Sequence, residues 1–507
     1  MNAIPKFNLD EYTKQQRVFP EISFEEFQGC NDEIIKDSIV TKNRVLSTDA
    51  YNRTMNEIKW PEDAENIEAF SLAFRRTWEL KNYNIVYGIK RLVRELLELP
   101  ITQHEVDFAE AAAKAQGEKW GVGYFNKAMW QKVIDEHNGY IPLTIKAVED
   151  WTAVKKWEPA MLVEWPSELA AHFEPLLLQL FLKSAIAWDM HLIEELIGSW
   201  RTIDMGLRSA QTNQLHIGSA RSLYVWGWVT ATSNDAATAC IDQQVSSGTI
   251  AHRYLSVRPT EEEAFRTAVE RTDKISLLVD LNDSIKWIDK AMKLKKEFRD
   301  SGKNISMRLD SWDLQGQAIY GLQQIKAAGM IDDPLHNKIV VADISNIDDI
   351  KGMELAVTQA GFEPKDHIIY GIGWLLVAKG KTRDAMSAGY KAINTPEGPT
   401  GKLSNSPWKE PIPGKPNIEI VELPDGTITR TVVQEDEEVK GKRLLKTVYE
   451  NGEIFFPESN DNIALDNARA QVEKSIKWIT PWDEPTLSEK TEQIKDQVRE
   501  KLRGKAA

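Results

Sequence analysis

The stretch from Lys274 to Leu376 restricts the possible folds more than any other part of this sequence. It contains four short apolar runs, each ending in an acidic residue or a glycine and each followed by a helical pattern: ISLLVD, ISMRLD, IVVAD and HIIYGIG. Strands that alternate with helices in this way form parallel sheets joined by right-handed crossovers. The repeat therefore predicts an α/β domain built on a parallel sheet.

The ends of these four runs predict where a functional site lies. The runs end at Asp280, Asp310, Asp343 and the pair Gly371 and Gly373. In a closed parallel barrel, functional groups gather at the carboxyl ends of the strands, where these residues fall. Any one of them can equally mark a turn or cap a helix, but four such ends together favour a site. A Gly-x-Gly segment also lets backbone amides approach a phosphate.

Length, charge and cysteine content narrow the class of protein. A chain of 507 residues predicts two domains, and a net charge of −14 argues against sequence-independent binding to nucleic acid or to an anionic membrane. Cys30 and Cys240 are too few for a disulfide framework or a thiolate metal site. Without a signal peptide or a long uncharged apolar run at its start, the chain is expected to be soluble and cytoplasmic, with small-molecule partners.

Two further residues are candidates for binding anions. Arg208, in GLRSA, can pair with a carboxylate in a bidentate manner. His252 lies beside Arg253 in SGTIAHRY, an environment suited to receiving a phosphoryl group or to positioning an anion. Taken singly, a surface arginine and a structural histidine are the commoner outcomes. The sequence lacks a Walker motif and a complete dinucleotide fingerprint, which argues against a P-loop enzyme and a nicotinamide-linked dehydrogenase.

Nine short segments occur in an order that resembles the nicotinate phosphoribosyltransferases, a family of type II phosphoribosyltransferases. They span Ser47 to Lys415 and read STDAY, GLRSA, ATSN, SGTIAH, LLVDLNDS, RLDSWD, YGIG, KLS and IPGK. The resemblance implies an irregular α/β barrel with a second α+β domain formed from both chain ends. It also implies a homodimer with shared active sites. The implied reaction makes nicotinate mononucleotide from nicotinate and phosphoribosyl pyrophosphate, with ATP as co-substrate and Mg²⁺, in NAD salvage.

On this basis we divide the chain into four parts. They are an N-terminal extension at 1–43, the first part of the second domain at 44–195, the barrel at 196–393, and the C-terminal part of the second domain at 394–507. The last part opens with a loop rich in proline, glycine and serine, and continues in strands and helices.

The resemblance also implies roles for individual residues. Those at the pyridine and ribose end are Tyr51, reaching the ring from the partner subunit, Arg208 at the nicotinate carboxylate, and the pair Arg308 and Asp310. His252 matches the histidine that ATP phosphorylates, Asp280 the acid that orients it, and Gly371 with Gly373 the loop for the 5′-phosphate. No protein side chain is assigned to the metal. Ser233 stands where relatives that use nicotinamide carry an aspartate, so nicotinate is the expected base.

Three positions depart from the family pattern. Trp312 replaces a glycine, Trp374 replaces a small residue after the phosphate loop, and Ala231 replaces a glycine in ATSN. The two indoles lie beside the expected ribose and phosphate positions. Two alternatives therefore stay open: an enzyme for nicotinamide or another ring base, and a non-catalytic homologue that binds a ligand without turning it over.

Overall fold

The computed structural model describes residues 14–506, except 59–65, 78–81, 121–122, 167–168, 170–171, 180, 199, 228–230, 242–243, 247, 281–282, 382, 384–386, 403–409, 457–460 and 481–483. The strands are β1 (Ile67–Phe74), β2 (Asn84–Val86), β3 (Thr144–Ala147), β4 (Thr152–Val154), β5 (Pro159–Pro166), β6 (Thr202–Asp204), β7 (Ala231–Thr232), β8 (Val245–Ser246), β9 (Lys274–Leu278), β10 (Asn304–Leu309), β11 (Ile339–Val341), β12 (Ile368–Ile372), β13 (Ala388–Thr395), β14 (Gly398–Pro399), β15 (Pro416–Glu422), β16 (Ile428–Gln434), β17 (Lys442–Arg443), β18 (Lys446–Glu450) and β19 (Glu453–Ile454).

The helices are α1 (Phe24–Gly29), α2 (Glu33–Val40), α3 (Ala50–Glu57), α4 (Ile89–Leu97), α5 (Gln103–Trp120), α6 (Lys127–His137), α7 (Glu174–Gln179), α8 (Phe181–Ile197), α9 (Asn213–Gly227), α10 (Asp235–Cys240), α11 (His252–Ser256), α12 (Glu261–Arg271), α13 (Ser284–Glu297), α14 (Leu314–Ala327), α15 (Ile347–Gln359), α16 (Pro364–His367), α17 (Trp374–Val377), α18 (Asp461–Lys477) and α19 (Glu489–Ala506). Short 3₁₀ turns occupy Leu207–Ser209 and Arg299–Ser301.

The chain forms two compact units. The first, called here the antiparallel unit, comprises Met1–Ser184, Thr382–Ser459 and Ala470–Ala507; the second, the barrel unit, comprises Ala185–Lys381 and Asn460–Arg469. The antiparallel unit is thus drawn from both ends of the chain. Our sequence division places the barrel at 196–393, whereas β13 pairs with β1 of the antiparallel unit.

The barrel unit is built on a parallel sheet of seven strands in the order β8-β7-β6-β12-β11-β10-β9. The four runs of the sequence repeat are β9 to β12, which pair as parallel neighbours. Beyond the edge strand β8, Thr249 forms a parallel bridge to Ser276 of β9 at the other edge. Since the two edges meet there, the sheet curls on itself. The prediction of an irregular α/β barrel beside a second α+β domain is confirmed.

Local sequence explains why the helices of the repeat start where they do. The side chain of Asp313 accepts a hydrogen bond of 3.0 Å from the Gly316 amide at the start of α14. Asn346 and Asp349 form a reciprocal capping box at the start of α15. Helix α14 then buries an apolar stripe against the sheet: Ala318, Leu322 and Ile325. Each helix is therefore anchored directly after the carboxyl end of a strand.

The antiparallel unit contains the remaining sheets. Its largest sheet has seven strands in the order β14-β13-β1-β5-β3-β18-β19, all of whose pairs are antiparallel. Strands β15, β16 and β17 form a second sheet, and β2 pairs with β4. The strands and helices predicted for the C-terminal part of the chain are present as β15 to β19, α18 and α19.

One stretch among the described residues, Glu174–Ile197, is long and apolar enough to cross a membrane by length and composition. It comprises α7 and α8, and 86% of its most apolar window is buried inside the protein. A core helix of a globular protein has this property, and the sequence pattern of Leu176 to Trp200 predicts such a buried helix.

Lys295 is a charged residue buried in the barrel unit. It lies on α13 with 0% of its surface exposed, and its Nζ donates a hydrogen bond of 2.8 Å to the carbonyl oxygen of Ile305. Burial lowers the pKa of the Lys295 ammonium to about 7, although the nearby Asp333 acts in the opposite direction. An unfolded lysine keeps its proton to about pH 10.4. The folded state therefore binds fewer protons than the unfolded state between these values, so stability rises with pH across that window.

We expect Lys295→Met to raise the free energy of unfolding by about 1 to 3 kcal/mol near neutral pH, because methionine removes the cost of burying an ammonium. The gain is expected to shrink at about pH 10, where the proton is already released at little cost. Denaturant unfolding of both proteins at the two pH values measures the difference. Lys293→Met changes an exposed lysine of the same helix and serves as the control. A destabilised Lys295→Met protein at both pH values would contradict this account.

Candidate active site

The residues predicted to form the site in the barrel unit all lie at one edge of its parallel sheet. Each follows the carboxyl end of a strand or lies within its last residues: Arg208 after β6, Ser233 after β7, His252 after β8, Asp280 after β9, Arg308 and Asp310 at β10, and Gly371 and Gly373 at β12. Because the strands are parallel, their carboxyl ends share an edge. Tyr51 is the exception, since it lies on α3 of the antiparallel unit, where its hydroxyl donates to Glu174 Oε2 at 2.7 Å.

His252 and Asp280 form the first contact of the site. Nε2 of His252 lies 3.2 Å from Oδ1 of Asp280, and Oδ2 of the same carboxylate accepts a hydrogen bond of 2.7 Å from Ser311 Oγ. The Asp280 side chain is 1% exposed, whereas the His252 side chain is 48% exposed. Since a carboxylate only accepts, Nε2 carries the proton, and Nδ1 is left as the basic atom of the ring. The pair therefore presents an oriented imidazole that can act as a nucleophile.

Arg308 and Asp310 form the second contact. One guanidinium nitrogen of Arg308 lies 3.2 Å from Asp310 Oδ2, and another donates to Thr249 Oγ1 at 3.3 Å. Nε of Arg308 is buried and has no hydrogen-bond partner among the described residues. A buried donor without a partner is costly, so this nitrogen suits an oxygen atom of a bound ligand.

Electrostatic interactions join the two contacts into one site. The pKa of the Asp310 carboxyl is raised overall, chiefly by burial. The nearby carboxylates Asp280 and Asp343 also raise this pKa, whereas Arg308 and His252 lower it. Burial likewise lowers the pKa of the Arg308 guanidinium, which Arg208 lowers further. Arg208 thus lies within electrostatic reach of Arg308, and the site combines two cations with several acids.

Comparison with known proteins shows which enzymes the chain resembles. The chain is 26% identical over 380 residues to the nicotinate phosphoribosyltransferase of Bacillus subtilis, covering 74% of this chain and 72% of that protein. It is 23% identical over 441 residues to a nicotinate phosphoribosyltransferase of Mycobacterium tuberculosis, covering 86% of this chain and 88% of that protein. The profile of the nicotinamide phosphoribosyltransferase N-terminal domain matches residues 43–145. The chain is thus similar to nicotinate phosphoribosyltransferases over most of its length.

Two solved structures share the fold. The human nicotinic acid phosphoribosyltransferase superposes with a TM-score of 0.65 at 19% identity, covering 89% of this chain and 99% of that one. A nicotinate-nucleotide pyrophosphorylase from Pyrococcus furiosus superposes with a TM-score of 0.59 at 13% identity, covering 94% of this chain and 99% of that one.

A buried polar network, which sequence reasoning missed, supports the family segments GLRSA and ATSN. Asp204, at the end of β6, accepts hydrogen bonds from the Gly206 amide at 2.8 Å and from Thr232 Oγ1 at 2.9 Å. Its Oδ2 also lies 3.0 Å from Nε2 of His216, and neither side chain is exposed. Asp204 therefore ties together the segments that carry Arg208 and Ser233. The run TID ends in an acid like the other strands, and this was the signal available in the sequence.

Asn234 determines the protonation of this network. Its Oδ1 accepts from the amides of Ala236 and Ala237 as the cap of α10, so its Nδ2 faces His216 Nδ1 at 2.8 Å. An amide nitrogen donates, which makes Nδ1 the acceptor and places the imidazole proton on Nε2, toward Asp204. His216 is therefore a neutral donor to a buried carboxylate. It differs from His252 in having no exposed ring nitrogen.

The family's phosphate-loop glycines have a packing role in this chain. A Cβ at Gly371 would lie 2.7 Å from Met205 Cε, and a Cβ at Gly373 would lie 2.9 Å from the Met205 carbonyl oxygen. The segment after β6 therefore crosses closely over the end of β12. At Gly373 the contact is with backbone, so a side chain would force the chain to shift, whereas at Gly371 the flexible Met205 side chain can move. The role of these residues in binding the 5′-phosphate stays a prediction.

The departures from the family pattern also have structural consequences. Trp312 has a positive φ of 69°, the left-handed conformation in which glycine is favoured. Trp374 is the first residue of α17 and is 50% exposed, with Lys379 Nζ 5.4 Å from its ring centroid. Among the described residues, no group of three or more His, Cys, Asp or Glu side chains is arranged to hold a metal ion.

Proposed function

We propose that this protein transfers the phosphoribosyl group of phosphoribosyl pyrophosphate to nicotinate, giving nicotinate mononucleotide with coupled ATP hydrolysis, in NAD salvage. The observation that carries the proposal is the half-exposed imidazole of His252, held at Nε2 by the buried carboxylate of Asp280. A histidine that accepts a phosphoryl group needs such an orientation. Relatives named nicotinate phosphoribosyltransferase support the transfer reaction itself.

The other residues of the site suit the proposed transfer. Arg208 and Arg308 supply positive charge for the nicotinate carboxylate, and Arg308 Nε is a donor without a partner among the described residues. The ring nitrogen of nicotinate forms a bond to the anomeric carbon while the bond to pyrophosphate breaks, and the electron pair leaves with pyrophosphate. Positive charge develops on the ribose, which the carboxylate of Asp310 stabilises.

Magnesium, a homodimer and a cytoplasmic location are further parts of the proposal. Mg²⁺ held through substrate phosphates needs only one or two protein carboxylates, and Asp310 fits that need; the ion would neutralise the leaving pyrophosphate. Tyr51, 50% exposed on α3, would serve the partner subunit's site. The cysteines Cys30 and Cys240 are both unpaired, which suits a reducing compartment.

Mononucleotide formation by the purified protein tests the proposal. The protein is incubated with phosphoribosyl pyrophosphate, Mg²⁺ and either nicotinate or nicotinamide, with and without ATP, and products are separated by chromatography. We expect nicotinate mononucleotide, formed faster with ATP and accompanied by release of ADP. His252→Ala should retain slow transfer but lose the stimulation by ATP. Tight binding of substrates without any product would favour the non-catalytic alternative instead.

The preferred base follows from the charges near Ser233. This residue is exposed after β7, and its amide donates to the Asp204 carbonyl oxygen at 2.8 Å. A neutral serine does not repel the nicotinate carboxylate, and Arg208 attracts it. A charged hydrogen bond is worth about 1.5 to 3 kcal/mol, so kcat/KM for nicotinate should exceed that for nicotinamide by about tenfold to a hundredfold.

Ser233→Asp is expected to reduce this preference, because a carboxylate repels nicotinate and can accept from the nicotinamide NH₂ group. Asparagine has nearly the same size as aspartate but no charge, so Ser233→Asn should leave most of the preference intact. The measurement is kcat/KM for both bases on each preparation. A wild-type preference for nicotinamide would favour the alternative base.

A further inference from the structure

Trp312 combines two unfavourable features at the edge of the candidate active site. Its φ of 69° lies in the left-handed region, which is a rare conformation for a bulky side chain. Its side chain is also 84% exposed, so a large apolar surface faces solvent. Glycine at this position would remove both features. Strain of this kind persists where the surrounding structure imposes it, and often marks a site of function.

Other left-handed tryptophans in the described chain have compensating contacts. Trp151 and Trp157 have φ values of 70° and 63° but are only 8% and 6% exposed, so burial of the indole offsets the strain. Trp200, with φ 70° and 57% exposure, has the Arg469 guanidinium 5.9 Å from its ring centroid. Trp312 is the most exposed of the four. Its ring therefore gains little from packing in the free protein.

The backbone on both sides of Trp312 is held in place. Ser311 donates from Oγ to Asp280 Oδ2 at 2.7 Å, and its carbonyl oxygen accepts from Gln317 Nε2 at 2.9 Å. Asp313 caps α14 through the Gly316 amide at 3.0 Å. These anchors impose the conformation of Trp312. Trp312 is thereby fixed two residues after Asp310 in the chain and directly after Ser311, whose hydroxyl contacts the Asp280 carboxylate.

We propose that Trp312 is a ligand contact whose indole stacks on the flat heteroaromatic ring of a co-substrate. This inference rests on the proposed function, whose reactants include two such rings, the pyridine of nicotinate and the adenine of ATP. When a planar ring stacks on an exposed indole, the facing side of each ring is buried, and many different rings can stack in this way. Phosphoribosyl pyrophosphate has no aromatic ring, so its KM should not depend on the indole and serves as an internal reference.

Steady-state kinetics of Trp312→Gly and Trp312→Phe test the contact. We expect the glycine variant to raise KM for one ring-bearing substrate by about five- to fiftyfold, with KM for phosphoribosyl pyrophosphate within about twofold. The substrate affected, nicotinate or ATP, identifies the ring. The phenylalanine variant keeps an aromatic face and should stay within about threefold of the wild type. Glycine also fits the left-handed backbone, so the thermal unfolding midpoint should not fall.

Trp200→Gly is the matched control. Trp200 is also exposed and left-handed, but it precedes β6 and so lies at the opposite edge of the sheet from the site. Its replacement should leave all KM values unchanged. An equal rise in KM for Trp200→Gly would show a general effect of removing an indole, and would overturn the inference.

A binding measurement separates this inference from the proposed function. Tryptophan fluorescence is titrated with nicotinate, ADP and phosphoribosyl pyrophosphate in the wild type and in Trp312→Phe. We expect one ring-bearing ligand to quench the wild type more strongly than the variant. If no mononucleotide forms but this difference is present, the proposed function fails and the contact stands. If turnover is normal while Trp312→Gly changes neither KM nor quenching, the contact is refuted and the function stands.

Discussion

Asp280→Asn is expected to lower kcat/KM for ATP-stimulated mononucleotide formation by about a hundredfold to ten-thousandfold. Asp280 is buried, and its two oxygens contact His252 Nε2 at 3.2 Å and Ser311 Oγ at 2.7 Å. Asparagine has the same shape but lacks the charge that, in the proposed reaction, would stabilise a protonated or phosphorylated imidazole. It can also turn its NH₂ group toward Nε2 and reverse the tautomer of His252. The loss of an acid that orients a catalytic histidine has effects of this size. Initial rates with and without ATP measure the change.

Asp283→Asn is the matched control for this substitution. Asp283 lies three residues further along and accepts from the Lys286 amide at 3.2 Å as the cap of α13. Asparagine caps a helix as well as aspartate does, so kcat/KM should remain within about twofold of the wild type. If Asp280→Asn retains both its rate and its stimulation by ATP, the contact between His252 and Asp280 has no part in the reaction.

Glu158→Ala is expected to lower the free energy of unfolding of the antiparallel unit by about 3 to 5 kcal/mol. Arg430 donates to Glu158 Oε1 at 2.8 Å and to Oε2 at 2.6 Å, and these side chains are 0% and 1% exposed. Glu158 Oε2 also accepts from the Lys155 amide at 2.7 Å. Removal of the carboxylate leaves a buried guanidinium without its counter-charge. Denaturant unfolding followed by far-UV circular dichroism measures the loss.

Glu297→Ala provides the comparison at an exposed ion pair. Its partner is Arg266, with side-chain exposures of 44% for the arginine and 49% for the glutamate. Exposed pairs contribute about 1 kcal/mol or less, so this variant should be nearly as stable as the wild type. The double variant Glu158→Leu/Arg430→Met should recover much of the stability lost in Glu158→Ala, because no unpaired charge remains. Equal losses in Glu158→Ala and Glu297→Ala would contradict the role of burial.

The conformation of Trp312 shows how a departure from a sequence pattern acquires meaning from the structure. The sequence indicates only that a tryptophan stands where glycine is expected. The positive φ of 69° explains the glycine, and the 84% exposure shows that packing does not compensate for the tryptophan. Similarly, Gly371 was predicted to approach a phosphate, whereas its nearest neighbour in the protein is Met205. At Gly371 the residue type was informative, but its contact partner comes from a distant part of the chain.

Local signals determined the strands β9 to β12, the capping residues Asp313 and Asn346, and the edge of the sheet where the site lies. These features depend on residues within a few positions of one another, through side-chain period and capping hydrogen bonds. Only the tertiary structure decided that β6 pairs with β12, that Thr249 reaches β9, and that a neutral His216 binds Asp204. These contacts join segments from 12 to 168 residues apart, such as Tyr370 with Thr202. These contacts form because the curled sheet brings strand ends together, and a short stretch of sequence cannot predict this arrangement.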